Sequence, residues 1–236
     1  MIWIFVALLV GWGNAGSLVL GGTARLPGGS WAFVVSGLVL VAISLAIARR
    51  AGLDAAALGL RPTGWWRGAA VGAVAGAAIA GLGILGLQLA SIVVGGPVVY
   101  DPLRGITEGD LARHVLVFLP LGAVLPEEIA FRGALVGLLW KSGARRAILG
   151  SAAAFALWHA AVAVVTVDST TIAPPSPWFL PAIAGALAVV FAGGLALAWL
   201  RLATETLAST IAAHWAFNAT LLLGLWMTLP VPVPNA

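Results

Sequence analysis

Seven apolar stretches follow one another along this chain, at residues 1–20, 31–47, 68–94, 114–140, 147–165, 179–200 and 204–227. Each is close to the roughly 20 residues an α-helix needs to cross a bilayer. Hydrocarbon offers no partner to a backbone N–H or C=O, so runs of this length must bond within themselves, as helices. The expected fold is all-α: a polytopic transmembrane helical bundle of about seven spans, built as a single transmembrane domain over residues 1–236. An eighth helix follows if the fourth span is split at Pro120 or Pro126. The balance of 61% hydrophobic to 8% charged residues excludes an ordinary soluble domain, which carries about 25% charged residues.

The connectors agree with a bilayer setting. No Lys or Arg precedes the first apolar core, so that stretch reads as a retained span and not as a cleaved signal peptide. Breakers rich in Gly and Pro occupy residues 21–30 and 95–97, and Pro-rich segments occupy residues 166–178 and 230–234. In the linker at residues 51–67, Trp65 and Trp66 beside Arg61 and Arg67 suit the headgroup layer. The loop at residues 100–113, with Asp101, Arg104, Glu108 and Asp110, reads as a solvated connector leading to His114. In the third span, Gly72, Gly76 and Gly81 are spaced to let a neighbouring helix come close.

Arg49, Arg50, Arg61, Arg67, Lys141, Arg145, Arg146 and Arg201 fall on one side of the spans, and Arg25, Arg104 and Arg113 on the other. Basic loops stay in the cytoplasm, which puts the N-terminus inside and the C-terminus outside a cell membrane. The net charge of +4 is thus a topology signal, and no nucleic-acid partner is expected, since no basic cluster is interleaved with aromatic residues. The absence of Cys excludes disulfides, thiolate metal sites and a cysteine nucleophile.

Against this apolar background, Pro126-Glu127-Glu128-Ile129-Ala130-Phe131-Arg132 stands out, because an ionisable side chain in hydrocarbon costs roughly 2.5 to 3.5 kcal/mol. Glu128 and Arg132, four residues apart on a helix, can pair, which leaves Glu127 free for chemistry. At about 1.5 Å per residue, Glu127 and His159 lie roughly 20 Å from the cytoplasmic end of their spans and His214 roughly 15 Å. Asn218 is one turn beyond His214 on the same face. A carboxylate and an imidazole flanking one water can deprotonate it for attack on a carbonyl, while a second His and a carboxamide donate to the oxyanion. Glu127, His159 and His214 would also serve as ligands of Zn²⁺, although the spacing His-Glu-x-x-His is absent. A serine mechanism lacks Gly-x-Ser-x-Gly, and Ser151 and Ser209 read as packing residues.

With these residues in view, the chain resembles the CPBP family of CAAX proteases and bacteriocin-processing enzymes (Abi proteins), which includes the type II CAAX prenyl endopeptidases. Glu127, Glu128 and Arg132 match Glu-Glu-x-x-x-Arg; Phe155 and His159 match Phe-x-x-x-His; His214 and Asn218 match His-x-x-x-Asn. The motifs occur in the family's order, within a catalytic core at residues 111–225. The resemblance implies an intramembrane endopeptidase acting on a membrane-associated peptide or protein. Glu127 would be the base, His159 its helper, His214 and Asn218 the oxyanion donors, and Glu128, Arg132 and Phe155 would order the site. No cofactor is required on this reading; zinc, held by Glu127, His159 and His214, is the alternative. A non-catalytic immunity or regulatory scaffold and a proton-coupled transporter are the rival classes, but the complete motif set and the lack of an inverted repeat favour the protease. The ratio of 11 Arg to one Lys is that of GC-rich coding, on which a prenylated substrate is not expected.

Overall fold

The structure, a computed structural model, describes residues 2–19, 30–61 and 63–229. The breaker expected at residues 21–30, save Ser30, and the closing segment 230–234 lie outside the described residues. The chain is a helical bundle: α1 Ile2–Val19, α2 Trp31–Arg50, α3 Trp65–Val94, α4 Glu108–Ser142, α5 Ala144–Trp158, α6 Ala160–Asp168, α7 Phe179–Thr204 and α8 Leu207–Met227. Five of these (α1, α2, α3, α4 and α7) are long and apolar enough to cross a membrane, and the bent pair of α5 and α6 makes a sixth. The seventh expected span, α8, has the length at 21 residues but is not in that set, because Ser209, Thr210, His214 and Asn218 dilute its apolar character.

α4 runs through the centre of the bundle. Its residues Phe131, Leu135 and Leu138 share one apolar core with Phe5 and Leu9 of α1, Leu40 of α2, and Phe155 and Trp158 of α5. Two expectations about it are corrected. The polar loop ends at Thr107, not Arg113: the Thr107 hydroxyl caps the helix by accepting from the Asp110 N–H, and Glu108 and Asp110 meet the positive end of the dipole. Nor do Pro120 and Pro126 split the span. Over His114–Val124 and Glu128–Leu135 the helix is wound as a π-helix, and the Leu125 N–H reaches back five residues to the Pro120 carbonyl, so the ladder is continuous past the proline.

The break falls instead in the fifth span. α5 and α6 meet at His159 with a bend of 43°. The side chain of Asn14, on α1, lies in the gap: its Oδ1 accepts from the Ala161 N–H at 2.7 Å and its Nδ2 donates to the Leu157 carbonyl at 2.9 Å.

α3 packs along α8 through glycine, but through Gly68, Gly72 and Gly76; Gly81 faces open space. A Cβ at Gly72 would strike the Ser209 carbonyl and one at Gly76 the Ala213 carbonyl, so the two backbones are in direct contact beside His214. The linker before α3 is more deeply set than an interfacial strip would be. Leu58 is buried, the Leu207 N–H donates to the Gly59 carbonyl, and the guanidinium of Arg201 donates to the carbonyls of Ala56 and Ala57. Trp66, by contrast, is 90% exposed in the first turn of α3.

Candidate active site

The polar residues of the site arrive on three of the expected spans. Glu127 and Glu128 sit where a single α-turn, Leu125–Glu127, joins the two π-wound lengths of α4. His159 sits at the break between α5 and α6, and His214 in the stretch of α8 held by the glycines of α3. The structure brings Glu127, Glu128, Arg132, Phe155, His159 and His214 into one cluster. Asn218 follows one turn beyond His214 on α8, half-buried, with no hydrogen-bond partner for its carboxamide among the described residues.

Glu127 Oε2 is 3.8 Å from His159 Nε2 and 4.0 Å from His214 Nε2. That oxygen is buried and accepts no hydrogen bond from any described residue. The other carboxylate is occupied on two sides: Glu128 Oε1 accepts from Arg132 Nη1 at 3.0 Å and from His214 Nδ1 at 2.8 Å. The pairing of Glu128 with Arg132 is the one expected from their spacing. The bond to His214 was not visible in the sequence, because it depends on how α4 and α8 are rotated against each other.

The second ring nitrogens follow from the first. His159 Nδ1 is 2.8 Å from the Phe155 carbonyl, which can only accept, so Nδ1 carries the proton. In the neutral ring Nε2 is then a bare lone pair directed to Glu127. His214 Nδ1 donates to the Glu128 carboxylate and likewise turns Nε2 to Glu127.

Phe155 is the floor of the cluster. The His159 ring lies over it at 4.4 Å between centroids, the His214 ring meets it edge-on at 6.0 Å, and Phe131 packs against it at 5.1 Å. The Arg132 guanidinium stands 4.1 Å from the same ring, so a fully buried cation is held by Glu128 on one side and a π-face on the other. The hydroxyls of Ser151 and Ser209 are committed elsewhere, to the Phe131 carbonyl and to Thr206 and Thr204.

The donor chemistry of Glu127, His159 and His214 would suit zinc. As the side chains stand, no group of three His, Cys, Asp or Glu among the described residues is placed to hold a metal ion. Glu127 Oε2 lies just beyond direct hydrogen-bond reach of either imidazole.

A family model, type II CAAX prenyl endopeptidase Rce1-like, matches residues 111–220, a stretch that holds all three motifs and every member of the cluster just described. No curated protein and no solved structure matches the chain. α1, α2 and α3 lie outside the matched stretch, yet α1 and α3 touch the segments that carry His159 and His214. Over residues 111–220, the chain is therefore similar to the type II CAAX prenyl endopeptidases, in the stretch that carries the three motifs.

Proposed function

We propose that this protein is an intramembrane endopeptidase that hydrolyses a peptide bond of a membrane-associated substrate with a water activated by Glu127 and His159. The observation that supports this reading best is the convergence of Glu127 Oε2 with the Nε2 atoms of His159 and His214, at 3.8 and 4.0 Å. A water at about 2.8 Å from both the carboxylate and His159 would stand to one side of the 3.8 Å line joining them.

In this mechanism Glu127 takes a proton from that water as the oxygen attacks the scissile carbonyl carbon. The carbonyl π-electrons move onto oxygen, where Asn218 donates through its free carboxamide. His214 donates as well when it is an imidazolium, the form in which both ring nitrogens carry protons and the bond from Nδ1 to Glu128 is charge-assisted. The C–N bond then breaks as the proton held by Glu127 passes to the leaving nitrogen, so no covalent enzyme intermediate forms. Arg132 and Phe155 hold Glu128 and the two imidazoles in place.

The test compares cells producing the wild type with cells producing Glu127→Gln, scoring membrane-protein fragments across the proteome. New N-termini that depend on Glu127 support the endopeptidase. Identical fragment patterns, with both proteins folded and equally abundant, would leave a scaffold as the better reading. Membrane-anchored peptides with and without a prenylated Cys then establish whether a lipid on the substrate is recognised.

A further inference from the structure

We propose that Asn14 is a positioning residue for His159: its carboxamide wedges open the fifth span at the depth of the active site. The inference rests on the assignment of His159 to the reaction, and it uses a helix outside the family-matched segment.

In an uninterrupted α-helix the Ala161 N–H would donate to the Leu157 carbonyl, four residues back. Here both of those groups bond to Asn14 instead. Oδ1 accepts from Ala161 at 2.7 Å, and Nδ2 donates to Leu157 at 2.9 Å and to Val10 of its own helix at 2.8 Å. A single side chain thus replaces one rung of the ladder while leaving neither backbone group unpaired, which matters where no water competes. Insertion of a side chain into the ladder is a recognised cause of sharp kinks, and the span bends by 43° at this point.

His159 is the residue in the middle of the opened rung. Its φ of −89° and ψ of 7° lie in the bridge region between helix and strand. This turn allows Nδ1 to donate to the Phe155 carbonyl while Nε2 is directed to Glu127. α1 is brought close enough to insert by Gly13, where a Cβ would run into the Trp158 ring. Without the wedge, Ala161 and Leu157 can close their own hydrogen bond, the span straightens, and His159 leaves its bearing on Glu127.

The chain has no Cys, so Arg145→Cys and Asp168→Cys, at exposed ends of α5 and α6, provide a unique spin-label pair in full-length protein in liposomes. From a rise of 1.5 Å per residue, loss of the bend in Asn14→Ala lengthens the distance between the two backbone positions by about 2 Å. In unlabelled protein, turnover of internally quenched, membrane-anchored peptides, prenylated and not, is expected to fall by about 10²-fold with KM unchanged, as misplacement of a catalytic group by about 1 Å produces. Asn14→Gln keeps both hydrogen-bonding groups and is expected to recover much of that loss. Asn14→Leu, close in size and at home in lipid, replaces Asn14→Ala if the latter fails to fold.

An unchanged label distance in the folded variant overturns the wedge. A lengthened span with full turnover overturns the positioning of His159. If the wild type cleaves none of the peptides while the distance still lengthens, the hydrolytic reading fails and the wedge survives as a device of the fold alone.

Discussion

Glu127 and Glu128 are neighbours in sequence with opposite surroundings, and their substitutions separate accordingly. Glu127→Gln keeps the volume, removes the base and is expected to abolish hydrolysis with the thermal midpoint nearly unchanged; equal turnover in purified, folded samples would refute the base assignment. Glu128→Gln weakens the hold on both Arg132 and His214, so its first effect is on stability. A loss of about 3 kcal/mol is expected, the lower end of what an uncompensated buried charge costs, read from denaturation in detergent micelles. Asn218→Ala should reduce turnover by about 10² to 10³ with little change in KM, as loss of one preorganised donor does. Chelator dialysis is expected to leave turnover intact, and activity that tracks bound zinc would replace the water-activating account with a metal one. The spacing of Glu128 and Arg132 announced their pairing, and helix rise alone put Glu127, His159 and His214 near one depth. Asn14 carried no such signal. It is one polar residue in an apolar run, and its partners are 143 and 147 positions away.

At the level of the helices, the number and order of apolar stretches were legible because length and hydropathy are local properties. Where the helices break was not. Pro120 looked like a hinge but is absorbed by wide turns in its own helix, whereas the fifth span, which holds no proline between residues 144 and 168, is opened from outside by α1. The glycine stripe of α3 was legible as a stripe, but its phase was fixed by α8, which turned Gly68 toward Thr206 and left Gly81 facing out. A direct test of that contact is Gly76→Leu. With the Ala213 carbonyl against Gly76, the side chain can be admitted only by moving α8, and His214 moves with it. Overpacking of this kind costs about 1–3 kcal/mol or more. Loss of both stability and turnover is expected, whereas Gly81→Leu should be neutral in the same assays.

Over the whole molecule, the connecting segments gather at two ends. At one end the Arg201 guanidinium and the Leu207 N–H are bound to carbonyls of the linker after α2, and Gly137 of α4 packs on Leu53 of that linker. At the other, Tyr100 and Thr170 form a bridge between the loop before α4 and the loop after α6. The eight basic residues counted from the sequence on the N-terminal side all belong to segments of the first end, so that end is expected in the cytoplasm; reporter fusions at Lys141 and Gly105 should read opposite sides of the membrane. The two halves of the chain also meet without needing to be continuous. α1 reaches His159 by hydrogen bonds to backbone, α3 reaches His214 by glycine-to-carbonyl contact, and the chain passes between them and α4 through an exposed loop around Gly105, whose φ is 73°. A cut there removes one peptide bond and no contact with the site. The protein should therefore be reconstituted from two separately translated fragments inserted in the same membrane, each inert alone and active in company.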